Sequence, residues 1–403
     1  MPGFDRFSEL PESLITQILL CLPTKESAKT SVLSTRWRNL WLNVPGLDLN
    51  RQDFRNVDKQ VFINIIDRFL EFNPSLASKN SSTQHRKDDG SLDPYIEFMP
   101  LNLFTSKTLV SLKLLFSVLE DPGFVSLPCL KFMILHKVRW FGTMNLEKLV
   151  SGCSVLEELN LMRDKLVVTC VRYRSLKRFY VPLAQEPSRR SRVPNTLLEI
   201  DAPGLEYMTL KQDNFDRVVV KKNLTSLVMV DLDIKFVVTY GMSFNTEDLS
   251  KRNEIRDFLT GISRARHMII SEKTVTALDR YSKVGTIPIF SNISRLQAVL
   301  PSSLLSTIYF AKEEMVKIKL VDVPQCLVST LECVEIERLF EWEEEEMKIA
   351  SYFPENSAVL KKLIVSFVLD YPRYASNSEV YEELHKLTKL SRRCRITVEE
   401  ELE

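Results

Sequence analysis

Four histidines, His85, His136, His267 and His385, are the side chains best suited to moving a proton near neutral pH, and they lie too far apart for one task. None stands at ligand spacing, and the chain carries no glycine-rich phosphate loop, paired-carboxylate motif or nucleophile elbow. The seven cysteines include no Cys-x-x-Cys pair, which disfavours both a disulfide framework and a zinc site; reduced, mostly buried thiols are expected. Two charge clusters remain. Arg189-Arg190-Ser191-Arg192 reads as a solvated turn, with a phosphate-binding or nuclear-import patch as the rarer alternative. Glu343 to Glu346 reads as a solvated helix start that suits the positive end of the helix dipole, with capture of a basic target as the alternative. The expectation is therefore a chain with no catalytic residue, no cofactor and no metal, whose work is done by surfaces.

The positioning elements begin in the first fifty residues. Leu14, Ile15, Ile18, Leu19 and Leu22 recur at helical spacing behind Ser8 and Pro11, which suit a cap and a first-turn position. Pro23 stops that helix. Thr24 is placed to cap a second helix carrying Ala28, Ser31 and Val32, and Ser34 a third on which Trp37, Leu40 and Trp41 share a face. So small a unit has more apolar face than core, and surplus apolar surface with two nearby tryptophans marks a partner site.

This run resembles the F-box. Leu10-Pro11, Ile18-Leu19, Leu22-Pro23 and Val32-Leu33-Ser34 ahead of Arg36-Trp37-Arg38 match that family's pattern in order, with Leu20 and Thr35 as mild departures. The resemblance implies docking onto a Skp-type adaptor, and through it onto a cullin and a RING subunit. It assigns adaptor contacts, direct or supporting, to Leu10, Pro11, Leu14, Ile15, Ile18, Leu19, Leu22, Pro23, Val32, Trp37, Leu40 and Trp41. Residues 1–50 are expected to act as a module that binds adaptor on any carrier.

With 54 basic and 53 acidic residues the 403-residue chain has a formal net charge of +1, so neither nucleic acid nor an acidic membrane is expected as partner. No apolar run reaches the roughly 18 residues of a membrane span, and Asp5, Arg6 and Glu9 stand where a signal peptide needs apolar residues, so an intracellular protein of nucleus and/or cytoplasm is expected. From Val57 to Phe72 a helix should carry Val61, Ile65 and Phe69, flanked by Phe62, Ile66 and Leu70, along one side. Leu76 to Pro94 has almost nothing to bury and reads as an exposed loop. Residues 51–95 therefore form a connecting helix and loop.

Beyond it the chain repeats. Leu109-x-x-Leu112-x-Leu114, Leu130-x-x-Met133-x-Leu135, Leu156-x-x-Leu159-x-Leu161, Leu176-x-x-Phe179-x-Val181 and Leu205-x-x-Met208-x-Leu210 recur about every 20 to 30 residues, as leucine-rich repeats do. In each, a short strand points its apolar residues inward on a parallel sheet, so that stacked units share one core. Leu224-x-x-Leu227, Ala265-x-x-Met268-x-Ile270 and Ile293 to Leu300 read as degraded continuations, separated by excursions such as Tyr240 to Arg256.

The segment from Pro324 resembles the FBD domain of plant F-box proteins with leucine-rich repeats, through Leu331-Glu332-Cys333-Val334-Glu335-Ile336, the stretch Tyr352 to Lys362, the strand-like Leu363 to Val368 and a closing Arg392-Arg393-Cys394-Arg395-Ile396. Pro354 departs from that pattern and is expected to end a helix at Phe353, with a restart near Asn356. The expected fold is α/β: a three-helix F-box (1–50), a leucine-rich-repeat solenoid with a parallel sheet (96–320) and a C-terminal α/β FBD cap (321–403). The expected role is a non-catalytic receptor subunit that brings an unknown protein substrate to a ubiquitin ligase. Alternatives are an F-box co-receptor sensing a small molecule and an adaptor-binding scaffold without substrate turnover. If the register is right, Lys113, Lys131, Glu158, Lys177, Arg178 and Glu206 project outward between the buried positions and select the target, with the acidic run near one end.

Overall fold

A computed structural model describes residues 9–54, 59–72, 99–162, 168–182, 196–211, 217–221, 224–239, 242–243, 249–300, 324–339, 344–368, 382–384, 386 and 390–401. The expected loop at Leu76–Pro94, the Arg189–Arg192 cluster, His85, His385 and the Leu304–Leu320 end of the repeat region lie outside these residues. The chain divides into two compact units, one formed by Met1–Asp164, Ser175–Tyr180 and Ala184–Pro187 and the other by Lys165–Arg174, Val181–Leu183 and Ser188–Glu403.

In the first unit, α1 (Glu12–Leu20) follows Pro11, whose fixed φ and missing N–H suit a helix start, and α2 (Thr24–Lys29) follows Pro23 in the same way. Thr24 does not cap α2: it is the first helical residue, and its hydroxyl accepts the Asp48 N–H at 2.8 Å. The expected third helix is a 3-10 helix, Trp37–Asn43, whose first N–H donates to the Ser34 carbonyl at 3.1 Å. The chain then enters β1 (Gly46–Asn50), and α3 (Lys59–Phe72) packs back on the 3-10 helix. The inward side of α3 is Phe62, Ile66, Phe69 and Leu70, while Val61 points to solvent; inward residues at i, i+4, i+7 and i+8 define a narrower stripe than expected. Phe69 stacks on Trp41 with ring centroids 6.4 Å apart, and Phe62 meets Phe54 edge-on at 4.9 Å.

β1 pairs in parallel with β2 (Ser111–Leu115), and the ladder continues past a short β3 (Val118–Leu119) to β4 (Phe132–His136). It then runs past β5 (Arg139–Trp140) and α4 (Leu146–Ser151) to β6 (Glu158–Met162) and, beyond β7 (Val168–Arg172), to β8 (Arg178–Val181). Residues 1–50 are thus continuous with the ladder that follows. Their last five residues are a strand of the repeat sheet, and their core is completed by Phe54 and α3. The expected triads are buried throughout: Leu109, Leu112 and Leu114, then Leu130, Met133 and Leu135, then Leu156, Leu159 and Leu161 are each at most 1% exposed.

In the second unit, β7, β9 (Leu197–Asp201) and β11 (Arg217–Val220) form a separate three-stranded parallel sheet, ordered β11-β9-β7. Its central Glu199 is pushed up by burial but held lower by Arg172 at 2.7 Å and Lys221 at 3.1 Å. The main ladder of this unit runs β10 (Tyr207–Leu210) to β12 (Met229–Leu232), past the hairpin of β13 (Val237–Thr239) and β14 (Met242–Ser243) and past α5 (Leu249–Gly261). It continues through β15 (His267–Ile270), α6 (Glu272–Ser282) and β16 (Arg295–Val299). The register Met208↔Val230 and Leu210↔Leu232 makes Leu227, Val230 and Leu232 the repeat triad, so the expected Leu224-x-x-Leu227 is out of phase by three residues.

The C-terminal region is α/β, and its strands prolong the same ladder. After α7 (Gln325–Ser329), β17 (Cys333–Leu339) pairs with β16, α8 (Glu344–Asn356) crosses over, and β18 (Lys362–Val368) and β19 (Arg395–Glu401) follow in parallel. Leu331, Val334 and Ile336, then Leu360, Leu363 and Val365, are buried triads with the spacing of the earlier repeats. α8 runs unbroken through Pro354, which sits in its last turn, where only one backbone bond is lost, and whose carbonyl accepts the Leu390 N–H at 3.0 Å. Of the acidic run, Glu341 to Glu343 lie outside the described residues and Glu346 is buried inside α8 instead of solvated at its start.

Candidate functional site

Helical spacing splits the apolar residues of α1 between two faces. Ile15 and Leu19 are buried against the 3-10 helix, whereas Leu14 and Ile18 are 45% and 43% exposed, with Leu22 beside them at 37%. Val32 and Leu33, at the end of the next turn, are 87% and 65% exposed. Trp37, Leu40 and Trp41, read as anchors in the sequence, are buried and pack inside the unit. Leu10 and Pro23 are half-buried and Pro11 is exposed. Leu20, outside the expected set, is also exposed and reaches Gly46, where a Cβ would lie 2.6 Å from its methyl and would make that side chain shift.

Side-chain bonds to backbone carbonyls hold this surface in place. The Ser27 hydroxyl donates to the Leu19 carbonyl at 2.9 Å, Arg36 donates to the Leu10 carbonyl, and Lys25 donates to the Asp53 carbonyl while lying 4.9 Å from the Phe54 ring. The exposed aliphatic residues are therefore displayed on a braced scaffold.

The second candidate surface is the outward face of the ladders. Strand alternation sends Lys113, Glu158 and Arg178 outward, while Lys131, Lys177 and Glu206 precede their strands and lie on the rim where strands begin. In the first unit these charges are satisfied by neighbours: Lys113 by Asp48 at 2.9 Å, Arg178 by Glu158 at 2.7 Å, and Glu157 by Lys177 at 3.3 Å and Lys131 at 3.5 Å. Lys177, then Lys131, hold the Glu157 carboxyl below its usual range, and the Glu158 bond raises the Arg178 guanidinium. His136 is half-buried, with Nε2 at 2.9 Å from Asn160 Oδ1, and His267 stands exposed on the outward side of β15. Behind the face, Asp121 accepts from Lys148 at 2.5 Å, from Thr143 and from the Gly123 N–H at 2.8 Å, contacts that pull it down to about 2.

Among the described residues no group of three or more His, Cys, Asp or Glu could hold a metal ion, and no helix is long and apolar enough to cross a membrane. None of the seven cysteines is joined in a disulfide; Cys153 and Cys394 are buried, but Cys21 and Cys129 are exposed, against the expectation of mostly buried sulfur. Burial pushes the Cys153 thiol up to about 12.

The chain matches the F-box domain family over residues 7–48, the leucine-rich repeats of the FBD-associated F-box protein At5g56370 over 88–230, and the FBD family over 319–365. It is 62% identical to the FBD-associated F-box protein At5g27750 of Arabidopsis thaliana, with the whole of both chains covered. It is 58% identical to the F-box/FBD/LRR-repeat protein At1g13780 of the same plant, with 99% of this chain and 98% of the relative covered. The chain belongs to the F-box/FBD/LRR-repeat family. The alignment with At5g27750 spans 461 positions against 403 residues here, so that relative carries residues which this family member lacks. The F-box match ends inside β1, the repeat match ends inside β12, and the FBD match begins ahead of β17, so none of the three boundaries coincides with a break in the ladders. An F-box domain suggests a substrate-adaptor role in SCF ligases, through Skp-type adaptors, for the members that carry it.

Proposed function

We propose that this protein is the substrate-recognition subunit of an SCF-type ubiquitin ligase. Leu14, Ile18, Leu22, Val32 and Leu33 bind the Skp-type adaptor, and the outward face of the repeat and FBD strands holds a protein target for ubiquitination and degradation. Supporting this reading is the division of α1, whose inner residues build the fold while aliphatic side chains of the same type are left on a braced outer surface. The mechanism is proximity: the receptor contributes no bond chemistry and raises the local concentration of target lysines around a ubiquitin-charged enzyme. Ile15, Leu19, Trp37, Leu40 and Trp41 act by holding the helices, and Leu10 and Pro11 flank the contact.

The test is affinity purification under proteasome inhibition, comparing the intact chain with a Leu14→Asp/Ile18→Asp variant. Adaptor and cullin should disappear with the variant, while target proteins remain and accumulate. Equal recovery of the adaptor by both chains would overturn the assignment.

A further inference from the structure

The parallel register of the second unit lines up residues that are far apart in sequence. His267 pairs with Arg295, Arg295 with Cys333, Cys333 with Lys362, and Lys362 with Arg395, so these five residues form one row across β15 to β19. All five stand on the outward face, since the next residue of each strand, such as Met268, Val334, Leu363 or Ile396, points into the core. Four of the five are exposed, and three of those, Arg295, Lys362 and Arg395, are cations. Just ahead of this row, on the rim, Arg266 and Lys361 are exposed as well, joined by Arg264, Arg392 and Arg393 in the turns that lead into β15 and β19.

Acidic neighbours offset only part of this charge. Glu335 takes Arg295 at 2.9 Å and Glu332 takes Lys361 at 2.7 Å. Lys362, Arg395, Arg266 and Arg264 have no ion pair or side-chain hydrogen bond among the described residues. The contrast with the first unit is sharp, because there Lys113, Lys131, Lys177 and Arg178 all reach carboxylates. In a chain whose formal net charge is +1, this is a local concentration of cations without a local partner.

We propose that the row His267–Arg295–Cys333–Lys362–Arg395 binds an acidic peptide segment of the target, a run of Asp and Glu side chains laid across the strand starts. Four strand-to-strand steps of about 4.8 Å span roughly 19 Å, the length of about six extended residues. The cations Arg295, Lys362 and Arg395 are spaced along that line, with Cys333 between the first two, and do not converge on one point, which suits spaced carboxylates better than a single phosphate. The outward positions of β15 to β19 hold no Phe, Tyr or Trp, so the row of stacking rings that single-stranded nucleic acids use is missing from this surface. The inference rests on the reading that this chain delivers a protein target, and it names the chemistry of that target.

The experiment uses the full chain purified with its adaptor and fluorescent ten-residue probes: an alternating Glu-Ser peptide, its Gln-Ser counterpart, a peptide with one phosphoserine in a Gln-Ser background, and a single-stranded oligonucleotide. The Glu-Ser peptide should bind at least tenfold tighter than Gln-Ser, and more weakly as salt rises from about 50 to about 300 mM. Lys362→Glu/Arg395→Glu should lose about tenfold or more of that affinity and still co-purify with adaptor. Lys362→Gln/Arg395→Gln should lose a smaller part, and it supplies the reading if the reversed variant fails to fold. Equal binding of the Glu-Ser and Gln-Ser peptides, a preference for the phosphopeptide or the oligonucleotide, or full affinity in both variants would overturn the proposal. Adaptor recovery is scored separately, so its failure in the wild-type chain would count against the ligase reading while the peptide result still stands.

Discussion

Leucine does two different jobs in the F-box and in the first repeats. On β2, β4 and β6 every inward leucine is sealed, because a two-residue period and parallel stacking give each side chain a neighbour above and below. On α1 the same residue type is divided, with Leu19 buried and Leu14 exposed five residues earlier. The helix lies chiefly against the 3-10 helix, and its far side, with Leu14 and Ile18, is uncovered in the described residues. The lesson is that an apolar pattern marks a core only where the architecture supplies two faces to fill. Elsewhere it marks a surface awaiting a partner.

Substitutions sharpen this contrast. Leu159→Ala, in the sealed ladder, should destabilise the chain by about 2–5 kcal/mol through lost burial and a residual cavity, measured by chemical or thermal unfolding. Leu14→Ala/Ile18→Ala should weaken adaptor binding by roughly tenfold or more in a titration, since each buried aliphatic side chain is worth about 1.5–3 kcal/mol, with little change in the unfolding midpoint. A large midpoint drop there would put these side chains in the core and dissolve the distinction. A carrier fused to residues 1–50 should bind adaptor poorly, because Trp41 loses Phe69 and β1 loses β2, while a fusion of residues 1–164 should restore binding.

Asp121 gives a pH test. Its carboxyl is ordinarily near 4 when unfolded and is held at about 2 when folded, so its contribution is present above about pH 4 and fades as pH falls through 2. The wild-type chain and Asp121→Asn should therefore differ in melting temperature by a constant amount from pH 7 to about 5 and converge near pH 2. A difference that persists at pH 2 would show that charge is not the cause. The smallest effect is expected at the paired outward charges: Lys113→Ala should shift stability by about 0–1 kcal/mol and leave adaptor binding unchanged.

Much of this could be read in the sequence wherever a period was strict. The five leading triads fall on buried strand positions, since a two-residue alternation between fixed neighbours leaves one solution. The F-box motif was plain too, and Trp37, Leu40 and Trp41 do share one face, but that this face is covered from within depends on α1 and on Phe69 of α3, which local spacing does not show. The phase of Leu227, Val230 and Leu232 was missed because Leu224 three residues earlier is also buried. The triads at Leu331 and Leu360 show the repeat spacing in plain view, yet sit inside a stretch that resembles another domain. No reading of local pattern would find the basic row, whose members lie 28 to 38 residues apart for the first two strand steps and meet only through the register.

The hydrogen bonds between β1 and β2 also bear on how a ligase would work. A receptor whose adaptor-binding part hung from a flexible tether would let its cargo sample a wide volume, and ubiquitin transfer would depend on chance encounters with whichever lysine drifted near. Here the strand that leaves the F-box is itself a rung of the first repeats, locked by Asp48 to Thr24 on one side and to Lys113 on the other. The F-box and the opening repeats therefore swing together like a gantry and its arm. For cargo held on those repeats, the choice of lysine becomes a question of reach and angle, set when the chain folds.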